Sequence, residues 1–158
     1  TSDPKEIPGI SYIPLFSYQP MLAISRHHQL AHKAYIEPED IESEILITYP
    51  VETERLDIFS LFLDPAGVEP AGIRQADMTI MMLQLVASGR GVAALPNWAL
   101  TEYLERDYVL AKPLGKEGIW NILYAAIRAE QADLPFIRDF LATAIASSFD
   151  NLKGIKRV

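Results

Sequence analysis

Short β-rich runs and helical runs take turns along the chain, and that alternation restricts the fold more than any other feature of the sequence. β-branched and apolar residues cluster over 10–13, 21–25, 45–49, 72–75, 92–95, 108–112 and 120–127, which predicts a strand at each. Over 55–63, Leu56, Phe59, Phe62 and Leu63 share one helical face, and Pro65 and Gly67 end it. Residues 78–88 are apolar almost all round, which predicts a buried helix with Asp77 as its N-cap and Gly89 just past its end. Another helix follows Pro96 over 97–106. Pro135 opens a last one, in which Ile137, Phe140, Leu141, Ala144, Ile145 and Ser148 recur at helical spacing. Strands that alternate with helices make an α/β fold with a largely parallel sheet.

Two stretches interrupt the alternation. One, 14–20, carries Pro14, Phe16, Tyr18 and Pro20; the other, 114–119, carries Gly115 and Gly118. They divide the chain into 1–19, a βαβ-rich block over 20–118, and a strand with a helix over 119–158. The outer pieces are too few to cover both faces of a parallel sheet. The first lobe is therefore expected to be incomplete, with residues missing upstream of Thr1.

Composition removes whole classes of function. With 158 residues, 49% hydrophobic and 22% charged, the chain can bury a core without staples. It has no cysteine, which rules out both a disulfide framework and a thiolate metal site. Its net charge of −7 is wrong for displacing counterions from phosphates, so DNA must be held by other residues. The basic tail Lys153, Lys156, Arg157 reads as a solvated end. The longest apolar run, 78–87, falls short of the roughly 18 residues that cross a bilayer, and no leader opens the sequence. A cytoplasmic, membrane-free protein is expected.

Catalytic and metal motifs are missing. His27, His28 and His32 lie close together, and 28 and 32 have the spacing of a helical metal pair. They follow a strand, without an HExxH pattern, and read as a solvated connection. The acidic run Glu37, Glu39, Asp40, Glu42, Glu44 reads as a solvated face. There is no GxGxxG, Walker or GxSxG motif, and Gly89-Arg90-Gly91 follows a helix instead of opening one. Nothing places a nucleophile beside a base. No catalytic residue, metal or cofactor is assigned, and the chain is not expected to be an enzyme.

A binding site is better supported. In open α/β sheets ligands lie beyond the carboxyl ends of strands, where helix N-termini point free N–H groups outward. Thr48, Tyr49 and Pro50 form one such turn, and Asp77, Met78 and Thr79 another. Backbone N–H groups and hydroxyls suit a carboxylate or an amino-acid backbone. Each has a plainer role too: helix-start bonding for Thr79, capping for Asp77, packing for Tyr49. Met78, Met81 and Met82 are expected to fill core. Ser17 and Tyr18 lie where the two lobes should meet.

Several stretches resemble the effector domain of LysR-type transcriptional regulators. SGRGVAALP over 88–96, led by a helix, is similar to that family's most recognisable segment. FSYQPMLAISRHHQLA, IEPEDIES, and the strand and helix over 120–128 and 134–149 follow in family order. TSDP, ILITYPVETERLDIF, LDPAGVEP and LPNWAL look most like the members that control methionine biosynthesis. The resemblance implies a type 2 periplasmic-binding-protein-like fold of two α/β lobes, the first incomplete, with an effector cleft between them. It implies homocysteine as effector and a winged helix-turn-helix upstream as the only DNA contact. It also implies that Ser2 reaches the cleft from the first lobe, and that copies of the chain pair as dimers or higher oligomers. Such pairing would cover apolar faces like that of Ile137, Phe140 and Phe149. A periplasmic solute-binding protein for an amino acid or organic acid, or an enzyme on the same scaffold, would share the fold. A secretion leader in the parent gene favours the first; a helix-turn-helix segment excludes both.

Overall fold

Every expected strand forms in the computed structural model, which describes residues 1–158: β1 (Ile10–Tyr18), β2 (Pro20–Ile24), β3 (Ile45–Thr48), β4 (Gly72–Gln75), β5 (Ala93–Pro96), β6 (Leu110–Pro113) and β7 (Asn121–Arg128). The helices are α1 (Asp64–Ala66), α2 (Thr79–Ala87), α3 (Asn97–Glu105) and α4 (Pro135–Asn151). The chain forms two units: Gln19–Ile119, and Thr1–Tyr18 together with Trp120–Val158.

In the unit Gln19–Ile119, β3 and β4 pair in parallel from Ile45↔Gly72 to Thr48↔Gln75. The Ile47 N–H donates to Val92 O (2.7 Å) and the Val92 N–H to Ile45 O (2.9 Å), which joins β3 to the start of β5 in parallel. β2 then lies between β5 and β6, antiparallel to both. The resulting order is β4-β3-β5-β2-β6, with β2 alone reversed. A largely parallel sheet was expected, yet the two ladders made by β2, at the β6 end, are antiparallel. The reason is that β2 arrives directly from β1 through Gln19, not over a crossover helix, so the rule that makes βαβ strands parallel does not act on it.

Both faces of this sheet are covered. Leu22 and Ile24 face one cluster with Ile36, Ile41, Leu46, Phe59, Phe62 and Leu63. Ala23 faces another, built with Met82, Leu83 and Val86 of α2 and Leu100 of α3. The helix that supplies Phe59 and Phe62 is π-helical over Phe59–Leu63 and ends in α1 at Gly67, with φ +67°. The wider turn accommodates Pro65, which has no N–H and crowds the carbonyl four residues earlier.

Four expectations fail here. α2 is not buried all round: Met82, Leu83 and Val86 are core, whereas Ile80 and Met81 are about half exposed. An all-apolar helix carries no mark of which face will meet the sheet. Asp77 is not the N-cap; Met78 holds that position and makes no side-chain cap bond. His28 is not solvated. Its Nε2 lies 3.2 Å from Glu44 Oε2 and its Nδ1 accepts the Leu30 N–H, which caps a short 3-10 turn. Glu44, from the acidic run, is buried and also accepts Gln29 Nε2 at 3.0 Å, so both carboxylate oxygens are satisfied. Asp40, in the same run, is held by the Lys33 ammonium and the Glu37 N–H. Burial alone would raise the Asp40 carboxyl, but those two bonds and the lysine charge outweigh it and hold it below its usual range.

In the other unit, β1 and β7 pair antiparallel from Ile10↔Arg128 to Tyr18↔Asn121. Of the expected interruption over 14–20, residues 14–18 continue β1, with an irregularity between Pro14 and Phe16 where proline cannot donate to the ladder, and Gln19 alone lies outside a strand. α4 packs on β1, yet only Phe16, Tyr18 and Leu141 are buried among the apolar residues of this unit. Phe136 and Phe140 are 64% and 66% exposed. The basic tail is docked through its backbone, while Lys153, Lys156 and Arg157 stay exposed. Lys156 exchanges both backbone bonds with Ser17 at 2.9 Å, and its ammonium lies 3.6 Å from the centre of the Trp120 ring.

Candidate functional site

Parallel pairing puts the carboxyl ends of β3 and β4 side by side, since Thr48 is opposite Gln75. The chain therefore leaves the sheet twice at one place: through Tyr49, Pro50 and Val51, and through Ala76, Asp77 and Met78 into α2. The Ala76 N–H donates to Thr48 O at 2.9 Å, which ties the two turns together at their base. Thr48 itself is buried. At the top, Tyr49 Oη and Thr79 Oγ1 are 2.6 Å apart. Thr79 thus reaches across to a second turn, where helix-start bonding to its own backbone was the plainer reading.

This arrangement presents hydrogen-bonding groups side by side. Two hydroxyls that share one hydrogen bond still hold one O–H between them to donate. Beside them α2 begins without a side-chain cap, and its first intrahelical bond is from Met82 N–H to Met78 O. The amides of the first turn before it have no partner within the helix and carry the positive end of its dipole. Pro50, Asp77 and Met78 are exposed, and so is Val51. An anionic group at the helix start, with an apolar substituent against Val51 and Met78, suits these groups.

The remaining sequence-derived candidates, Ser2, Ser17 and Tyr18, lie in the other unit around the start of β7. Tyr18 is opposite Asn121 in the ladder and is 4% exposed. Ser2 O accepts Asn121 Nδ2 at 3.4 Å, and Thr1 exchanges two bonds of 2.8 Å with the backbone of Tyr124. Ser17 is held in the ladder by β7 and on its other side by Lys156. Asn121 was not singled out from sequence. An asparagine opening a strand is an ordinary residue there, and its service to Ser2 spans the length of the chain. Within the unit Gln19–Ile119, the indole Nε1 of Trp98 is a buried donor without a protein partner, which LPNWAL alone does not signal.

Residues 1–147 match the family described as LysR substrate binding domain. The chain is 42% identical over 146 residues to the HTH-type transcriptional regulator MetR of Haemophilus influenzae, which covers 92% of this chain and 47% of that protein. It is 40% identical over 156 residues to MetR of Escherichia coli, covering 99% and 49%. The chain thus spans about half the length of these curated relatives. Among solved structures it is similar to the regulatory domain of MetR, a LysR family regulator from N. meningitidis, with a TM-score of 0.93 at 38% identity over 100% of this chain and 73% of that one.

Proposed function

We propose a function on the premise that the chain belongs to the LysR substrate binding domain family. It is the effector-sensing part of a transcriptional regulator of methionine biosynthesis, and its effector is homocysteine. What supports this reading above all is the agreement with the N. meningitidis MetR regulatory domain along the whole chain. The turns that end β3 and β4 supply the chemistry, because they offer a carboxylate-binding helix start beside apolar side chains. Bound effector then favours one conformation of the domain, and that preference is passed to a DNA-binding domain elsewhere in the parent protein. With a net charge of −7 the chain is ill suited to hold DNA itself. The parent acts in the cytoplasm, on DNA. No helix here is long and apolar enough to cross a membrane.

Calorimetry on the parent regulator tests the effector. Homocysteine is expected to bind at least about tenfold more tightly than methionine, because one additional methyl in a fitted pocket costs about that much. Thr79→Val, which removes the hydroxyl and keeps the shape, is expected to weaken homocysteine by roughly tenfold as well. Equal affinities, or no measurable binding of homocysteine, would refute the assignment.

The chain also associates with itself. Phe136 and Phe140 stand exposed on a unit that buries few apolar residues, and such surfaces are usually covered. Light scattering is expected to report a dimer or larger species; a monomer persisting at high concentration contradicts this.

A further inference from the structure

The chain passes between its two units twice, after Tyr18 and after Ile119. Gln19 is the only residue between β1 and β2. The ladder of β2 with β5 ends where Pro20 faces Pro96, and neither proline has an N–H with which to continue it. Asn97, at the start of α3, supplies the missing rung. Its N–H donates to Gln19 O at 2.8 Å, and its Oδ1 accepts the Gln19 N–H at 3.3 Å. The same oxygen accepts the Trp98 N–H at 3.0 Å, so α3 itself sets the orientation of the amide that grips Gln19.

The side chain of Gln19 reaches the second passage. It lies against Gly118, where any Cβ would collide with its amide nitrogen, and Gly118 has φ +70°. Gly118 is therefore a glycine for two reasons, its left-handed backbone and the glutamine that occupies the space of a side chain.

We propose that Gln19, gripped through its backbone by Asn97 and laid across Gly118, pins both passages to the unit Gln19–Ile119 so that they act as one pivot. Two independent linkers would bend separately; passages joined through one residue must loosen together. Both ends of the unit Gln19–Ile119 are then held as one piece.

Hydrogen exchange and limited trypsin digestion of the intact chain test this, because Lys116 is exposed two residues before Gly118. Asn97→Ala is expected to speed exchange of the Gln19 amide at least about tenfold, and cleavage after Lys116 at least about fivefold. Gln19→Ala keeps the backbone bonds and removes only the bridge. It should speed cleavage after Lys116 by a similar factor and leave exchange at residue 19 within about twofold of the original. Unchanged exchange at Leu22 and Leu46 shows that the sheet is intact. Should Asn97→Ala unfold the unit, the Gln19→Ala arm decides alone. Cleavage after Lys116 that ignores Gln19→Ala overturns the proposal, as does Gln19 exchange that ignores Asn97→Ala in a folded chain.

Discussion

Gly91→Ala is expected to destabilise the unit Gln19–Ile119 by roughly 2–5 kcal/mol, far more than Gly89→Ala two residues earlier. Both glycines have positive φ, +148° and +70°. At Gly89 nothing lies within 4 Å of an added Cβ, so the cost is the backbone strain alone, about 1–2 kcal/mol. At Gly91 the Cβ would stand 2.5 Å from the carbonyl oxygen of Ile45 and 3.1 Å from the Ile47 side chain. That carbonyl cannot retreat cheaply, because it accepts the Val92 N–H in the rung that joins β3 to β5. Relief would have to part the sheet between β3 and β5. Urea unfolding of the two variants measures the difference; equal losses would mean that the contact at Ile45 is not tight.

Leu22→Ala is expected to cost roughly 2–5 kcal/mol, whereas Phe140→Ala should stay within about 0.5 kcal/mol. Composition would rank them the other way, since phenylalanine carries the larger apolar surface. Leu22 is wholly buried in β2, an interior strand flanked by β5 and β6, and packs in the cluster with Leu46 and Phe62. Deleting it leaves a cavity that a sheet covered on both faces cannot close. Phe140 is 66% exposed on α4, so truncation there removes little burial. Denaturant midpoints at low protein concentration, where association does not contribute, distinguish the two. A comparable loss for Phe140→Ala would show that this face of α4 is covered within a single chain.

The element pattern was legible because it is local. Periodicity and punctuation placed each of α2, α3 and α4 and every strand but the end of β1 within a few residues, and Gly72–Gln75 appears with the bounds expected. The two strand-end turns of the candidate site were legible for the same reason. Their adjacency was not, since it comes from β3 lying beside β4, residues 27 positions apart being brought level by hydrogen bonds. The hydroxyl pair of Tyr49 and Thr79 depends on that pairing and has no local signature.

The failures share one cause. His28 and Glu44 look like two surface residues until the chain brings them within 3.2 Å, and burying one carboxylate then demands both of its donors. The backbone of the basic tail likewise carries no local mark of its pairing with the open strand edge at Ser17.

By itself, then, the order of residues determined what each segment becomes: apolar spacing and turn residues act over a few positions, whatever lies farther off. Which way β2 runs, which half of α2 meets the sheet, and which charges lose their water were decided only on assembly. Those outcomes depend on partners distant in sequence, and a hydrogen bond or an apolar contact has no energy until both of its members have arrived.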